Sequence, residues 1–274
     1  MARRPETEDA RTNDEEIGIC NSDIDLRSLN HSLTIRGKMP ESKGNSTIPG
    51  VDWRDGDLPV SRHFDDPYFS AHDGRAETGH VFVRGNQLPQ RWRDTEHCLI
   101  AELGFGTGLN FLETVRQWRE LKRDGARLSF VSFEQFPMAT NEMHRALARW
   151  PELTALAKQL VEVWQPEFEI LETRFGEDIA LTVFMSDANI RLPQLQFQAD
   201  AWYLDGFSPA KNPQLWNPAL LAEVFSRTVP GGTFATYSAA GQVRRDLQAA
   251  GFEVRRESGF GTKREMLAGR RPHA

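Results

Sequence analysis

From Cys98 onward, short apolar runs alternate with stretches whose apolar residues recur every three or four positions. That alternation predicts strands crossing to helices and back, and so a parallel sheet with helices on its faces. The runs place strands at Cys98–Leu103, Leu128–Glu134, about Leu181–Met185, Ala199–Asp205, Gly232–Tyr237, Phe252–Arg256 and Arg264–Gly269. Helices are predicted at about Leu109–Lys122, Met138–Arg149, Glu152–Trp164, Pro218–Thr228 and Ala240–Gly251. Only Glu257 to Thr262 separates the last two strands, so they should pair as an antiparallel hairpin. The expected fold class is α/β: a Rossmann-like, mostly parallel seven-stranded sheet with one antiparallel strand.

Upstream, residues 51–97 carry Trp53, Leu58, Val60, Phe64, Tyr68, Phe69, Val81, Phe82 and Val83 between turn residues such as Asp55-Gly56 and Gly85-Asn86. Short strands or hairpins are expected there, as a small β-rich cap ahead of the main domain at 98–274. Residues 1–50 show no sustained period of 2 or 3.6 and read as a disordered tail.

With 274 residues the chain can bury one main core plus this appendage. No apolar stretch approaches the roughly 20 residues of a spanning helix, and the charged start lacks the apolar segment of a secretory signal. A cytoplasmic protein with no membrane contact is the expectation. Cys20 and Cys98 form no CxxC pair and the seven histidines form no HxxxH or HExxH pair, so neither a disulfide framework nor a metal site is expected. Net charge is −6, yet the segment from Gly241 onward holds eight Arg or Lys against four Asp or Glu. The basic part of an acidic protein is its C-terminal part.

The chemistry centres on AELGFGTGLNF, residues 101–111. A strand meets Gly104, Gly106 and Gly108 before a helix begins, so the backbone can take positive φ, admit a ligand closely and point free N–H groups outward. Such a loop can also simply close an α/β unit. In open α/β sheets, ligands lie beyond the carboxyl ends of the strands, and four ends here carry an acid: Glu102, Glu134, Asp187 and Asp205. Glu134, 26 residues after Gly108, is spaced to accept from ribose hydroxyls, or is a solvated strand-end acid. Asp187 could accept from an adenine amine or cap the next helix. The GxGxG spacing departs from the dinucleotide fingerprint GxGxxG, and a mononucleoside cofactor with a cationic sulfonium, S-adenosylmethionine, fits the acidic edge better.

Asp205 opens the turn Asp205-Gly206-Phe207-Ser208-Pro209, where a carboxylate could hold an amine by its N–H while a methyl group is transferred. A solvent-facing turn aspartate is the plainer alternative. Lys211 could reach a phosphate or merely sit on a proline-bounded loop. Arg244, Arg245, Arg255, Arg256, Lys263 and Arg264 interleave with Phe252 and Phe260, a pattern suited to RNA or to a solvated helix face.

ELGFGTGLNF, SFEQFP, YLDGFSPAKNPQLW, GGTFATYSAAGQVRRDLQAAGF and GFGTKREMLAG, with PVSRHFDDPYFS and ETGHVFVRGNQL upstream, resemble the methyltransferase part of the bifunctional tRNA wobble-uridine modification family MnmC. The resemblance covers about Asp57 to Gly269. It implies a class I methyltransferase moving a methyl from S-adenosylmethionine to the primary amine of 5-aminomethyl-(2-thio)uridine in the tRNA anticodon. It further implies that Glu102, Gly104, Gly106, Gly108 and Asn110 line the cofactor's methionine end, with Glu134 at the ribose and Asp187 near the adenine. Asp205 would sit at the reacting amine with Phe207 beside it, and Asp65, Asp66 and Tyr68 would belong to a cap over the site. Lys211, Lys263 and Arg264 are the tRNA-facing candidates. The family's flavin domain has no counterpart in these residues, so the expectation is methylation without oxidation, after a separate enzyme has made the aminomethyl group. A small-molecule or protein methyltransferase, or a non-catalytic subunit, are the alternatives.

Overall fold

The computed structural model describes residues 34–38, by their backbone, and residues 50–273. The strands in chain order are β1 Thr34–Lys38, β2 Val51–Arg54, β3 Leu58–Ser61, β4 Asp66–Pro67, β5 His97–Leu103, β6 Arg127–Phe133, β7 Phe168–Arg174, β8 Ile179–Phe184, β9 Ala199–Leu204, β10 Thr228–Thr236, β11 Glu253–Ser258 and β12 Glu265–Arg270. The helices are α1 Gly74–Thr78, α2 Leu88–Arg91, α3 Leu109–Leu121, α4 Thr140–Leu147, α5 Thr154–Val163, α6 Ala188–Arg191, α7 Pro218–Ser226 and α8 Gly241–Ala250. Each expected strand and helix from Cys98 onward is present within a few residues of its expected ends.

The main sheet has nine strands in the order β1-β7-β8-β6-β5-β9-β10-β12-β11. Five of them, β8, β6, β5, β9 and β10, run parallel, and β12 lies antiparallel between β10 and β11 as the short final turn requires. Two strands were not expected. β7 forms a hairpin with β8, Ile170 opposite Phe184 and Arg174 opposite Ala180, and β1 adds antiparallel to β7. Thus five residues of the expected 1–50 tail belong to the sheet; its other residues up to 49 lie outside the described residues.

Strand alternation divides the core in two. Cys98 and Ile100 of β5 face one cluster, with Phe111, Leu112, Val115 and Trp118 of α3, while Leu99, Ala101 and Leu103 face the other, with Leu220, Leu221 and Val224 of α7. The central strands are buried on both faces, which is why they read as continuous apolar runs.

The cap is β-rich only in its first part, a three-stranded antiparallel sheet β2-β3-β4. After it come α1, a π-helical segment Gly79–Arg84 and α2. Val81, Phe82 and Val83, expected in a strand, lie in that segment and are all buried; Phe82 stacks on Tyr203 of β9 with ring centroids 5.1 Å apart. Three consecutive apolar residues can be buried together where a helical turn is enclosed on all sides. Asp73 caps α1, accepting from the Ala76 N–H at 3.0 Å, and Phe69 meets Trp150 edge-on at 4.9 Å. The cap is thereby fixed over the carboxyl ends of β5, β6 and β9. No helix among the described residues is long and apolar enough to cross a membrane.

Candidate functional site

β5 pairs with β6 on one side and β9 on the other, so the strand order reverses direction at β5, the switch point where doubly wound sheets form a crevice. A cavity of about 480 Å³ opens there, walled by Gly104–Asn110, Glu134–Phe136, Ser186–Asn189, Asp205–Ser208, Tyr237, Lys263 and the cap residues Phe64, Asp66, Tyr68, Glu77 and Thr78, although Gly108 is not part of that wall. The volume lies within the roughly 300–1,000 Å³ of small-molecule sites.

The glycine loop has the expected backbone. Gly104, Gly106 and Gly108 have φ of +84°, +56° and +78°. At Gly104 a Cβ would stand 2.9 Å from the Cα of Gly206, so two strand-end loops interlock without side chains. At Gly106 a Cβ would meet only Tyr68, at 3.4 Å, on the cavity wall. Gly108 differs: its missing Cβ makes room for Leu160 and Phe105, and it caps α3 outside the cavity. Its role is packing, a correction to its expected place beside the cofactor.

Glu102 also departs from expectation. It is fully buried beneath the wall, Oε2 accepting from Ser132 Oγ at 2.7 Å and Oε1 from Asn110 Nδ2 at 2.9 Å, and burial holds its carboxyl well above the usual range. Asn110 also donates Nδ2 to Asp205 Oδ2 at 2.6 Å. Glu134 stitches the loop: Oε2 accepts from the Gly106 N–H at 2.7 Å and Oε1 from the Phe136 N–H at 2.8 Å. Burial raises its carboxyl, opposed by those bonds. Asp187 realises its capping alternative, accepting from the Asn189 N–H at 2.8 Å, while still lining the cavity.

Asp205 faces the cavity at the end of β9. Burial pushes its carboxyl up to about 7, against the Asn110 hydrogen bond; the Glu77 carboxylate raises it further, and the Gly206 N–H and Lys263 oppose. Phe207 stacks on Phe64 at 4.6 Å and meets Tyr68 edge-on at 5.0 Å. Asp66 accepts from the Ser208 N–H at 2.8 Å, so the cap holds the Asp205–Pro209 turn directly. Lys211 lies outside the cavity wall and bonds the backbone and carboxylate of Asp65, as the plain loop alternative has it. Lys263 reaches the cavity but faces inward, 2.9 Å from Glu77 Oε1 and 4.0 Å above the Tyr237 ring. Arg264 beside it is exposed and off the wall.

The basic C-terminal cluster is partly paired within its own hairpin. Arg255 pairs with Glu257 at 2.5 Å, Arg256 with Glu265 at 3.3 Å and Arg270 with Glu253 at 2.6 Å. Among the wall residues that reasoning from the chain missed are Phe64, Glu77, Thr78, Phe136, Ser186 and Tyr237. The acid and aromatic residues at 64–69 and the helix start at Asp73 were the available signals.

Residues 151–272 match a family described as S-adenosyl-L-methionine-dependent methyltransferase. The "tRNA 5-methylaminomethyl-2-thiouridine biosynthesis bifunctional protein MnmC" of Chromohalobacter salexigens is 46% identical over 228 residues, 81% of this chain and 33% of that protein. Its namesake in Pseudomonas aeruginosa is 47% identical over 225 residues, 80% of this chain and 34% of that protein. Over residues 151–272 the chain is similar to the S-adenosyl-L-methionine-dependent methyltransferases, and over about four fifths of its length to MnmC. It spans about a third of the length of those MnmC proteins. The crystal structure of MNMC2 from Aquifex aeolicus has the same fold, with a TM-score of 0.68 at 24% identity over 87% of this chain and 74% of that one.

The cavity fits the cofactor of this family. Ser186 Oγ is buried on its wall with no hydrogen-bond partner among the described residues, a polar atom that awaits a ligand. The acidic wall of Glu134, Asp187 and Asp205 suits a cofactor carrying an ammonium and a sulfonium.

Proposed function

We propose that this chain methylates the primary amine of 5-aminomethyl-(2-thio)uridine at the wobble position of tRNA, giving 5-methylaminomethyl-(2-thio)uridine. The observation that carries the reading is Asp205: a carboxylate poised near neutrality, at the cavity wall, held by Asn110 and by a turn that the cap clamps through Asp66. The 46–47% identity to MnmC proteins supports this substrate class.

S-adenosylmethionine, when bound, supplies an electrophilic methyl group; Gly104, Gly106, Glu134, Ser186 and Asp187 would hold it. Asp205 accepts an N–H of the substrate amine and so aims the nitrogen lone pair into the cavity, the positioning that dominates such transfers. With its carboxyl at about 7, Asp205 can also take a proton from the incoming ammonium. Phe64, Tyr68 and Phe207 form an aromatic wall that keeps water from the amine and offers the extruded base a stacking surface. The enzyme acts after a separate reaction has supplied the aminomethyl group, and Arg245 and Arg264 are exposed cations of the C-terminal segment that can meet the RNA backbone.

A competition assay separates this from a small-molecule activity. Purified protein with labelled S-adenosylmethionine should methylate tRNA bearing the aminomethyl group, and an excess of free aminomethyl-uridine or simple alkyl amines should not compete. Strong competition by the free amines would overturn the tRNA reading.

A further inference from the structure

Asn110 stands in the first turn of α3, and every polar group of its side chain is committed. Nδ2 donates to Glu102 Oε1 at 2.9 Å and Asp205 Oδ2 at 2.6 Å, and Oδ1 accepts from Thr78 Oγ1 at 2.6 Å. An amide has two N–H groups and both are used, so Asn110 has no donor left for a ligand and offers at most the second lone pair of Oδ1. Its orientation is fixed chemically, because the reverse would point the carbonyl oxygen at two carboxylates. Glu102 cannot yield: it is fully buried and tied to Ser132. Thr78, also buried, belongs to α1 of the cap and shares its hydroxyl proton between Asn110 and the Gly74 carbonyl at 3.0 Å.

We propose that Asn110 is the positioning residue for the Asp205 carboxylate, clamped between Thr78 of the cap and Glu102 of the sheet, and donates no hydrogen bond to the cofactor. This rests on the reading of Asp205 as the amine-facing group. It makes the cap part of the catalytic geometry: seating of α1 sets where the Asp205 oxygen lies, through two hydrogen bonds of 2.6 Å each. The charged and titratable groups that face Asp205 are Glu102 on β5, Glu77 on α1, Tyr237 after β10 and Lys263 on the turn after β11. None of them is removed by changing Thr78, so a shifted pH profile there reports the relay.

The test pairs calorimetric titration of S-adenosylmethionine with single-turnover methylation of aminomethyl-uridine tRNA at saturating cofactor, from about pH 6 to 9. Asn110→Ala should bind the cofactor within about threefold of wild type yet react about a hundredfold slower, the size typical of losing a preorganised hydrogen bond. Thr78→Val should slow the reaction by about tenfold and move the midpoint of its pH profile upward, because a loosened Asn110 stabilises the Asp205 carboxylate less; Thr78→Ser should restore both. A large loss of cofactor affinity in Asn110→Ala with an unchanged saturated rate would overturn the proposal. So would a Thr78→Val profile that superimposes on wild type, which alone decides the matter if Asn110→Ala melts. Asp205→Ala run in parallel keeps the two readings apart. If it is inactive beside an unchanged Thr78→Val, only the relay fails; if it is fully active, the Asp205 reading itself fails.

Discussion

At the scale of single residues, Asp205 concentrates the consequences. Its carboxyl lies at about 7 because burial disfavours the charge more than Asn110, the Gly206 N–H and Lys263 favour it. The rate of methyl transfer should therefore gain a component that rises with pH through about 7 and is absent from Asp205→Asn. Stability should move the other way. A folded pKa raised above its unfolded value stabilises the fold below the unfolded value and loses that contribution as pH rises through about 7. Asp205→Asn should then melt higher than wild type at pH 8, by roughly 1–3 kcal/mol of stability, with the gain shrinking toward pH 4. Thermal melts across that range check the sign; a variant destabilised equally at both ends would contradict it. The residue was legible in the chain as the acid before Gly206 and Phe207, but its environment was not, because Glu77, Asn110 and Lys263 reach it from three other segments.

At the scale of elements, the loop after β5 makes a sharper prediction than its spacing suggested. Gly106 borders the cavity, so Gly106→Val should abolish cofactor binding, and because a β-branched residue is strained at its φ of +56° it should also lower the melt; calorimetry and circular dichroism read the two. Gly104→Ala should lower stability itself, since its Cβ would stand 2.9 Å from the Gly206 backbone at a φ of +84°. A second element-level test concerns β1. Removing residues 1–49 strips the strand that covers β7, and should cost about 3–6 °C in melting temperature, from the lost ladder. Turnover should persist, because β1 is separated from the β5 and β9 ends by β7, β8 and β6. The alternation of apolar runs and helical periods sufficed to foresee the parallel core, since those strands are buried on both faces. β7 escaped because Glu169, Glu172 and Arg174 break its apolar run, and its place is defined by pairing with β8. The Val81–Val83 segment escaped because three buried neighbours in a row carry no period.

At the scale of the whole molecule, charge is arranged differently from its tally along the chain. The C-terminal excess of Arg and Lys suggested an RNA-binding hairpin, yet register decides which charges meet. Glu253 lies opposite Arg270 in the β11–β12 ladder, and Arg255 and Arg256 find Glu257 and Glu265. Arg255, Arg256, Arg270 and Lys263 are paired with carboxylates, about half of the eight cations from Gly241 onward, so binding should weaken with a slope of only a few units, with Arg264→Ala removing about one unit from the slope of log affinity against log salt. A filter-binding series measures it, and a slope of many units would point to a basic surface elsewhere. The cap and the domain act as one body here: Asp66 fixes the Asp205 turn, Thr78 reaches Asn110, and Glu77 meets Lys263 across the cavity.

The most direct test of the central claim is nucleoside mass spectrometry of aminomethyl-uridine tRNA incubated with S-adenosylmethionine and either wild type or Asp205→Ala. Wild type should convert the aminomethyl nucleoside to its methylaminomethyl form, and Asp205→Ala, binding the cofactor equally well, should leave nearly all of it unconverted. Equal conversion by both proteins, or none by wild type, would contradict the account.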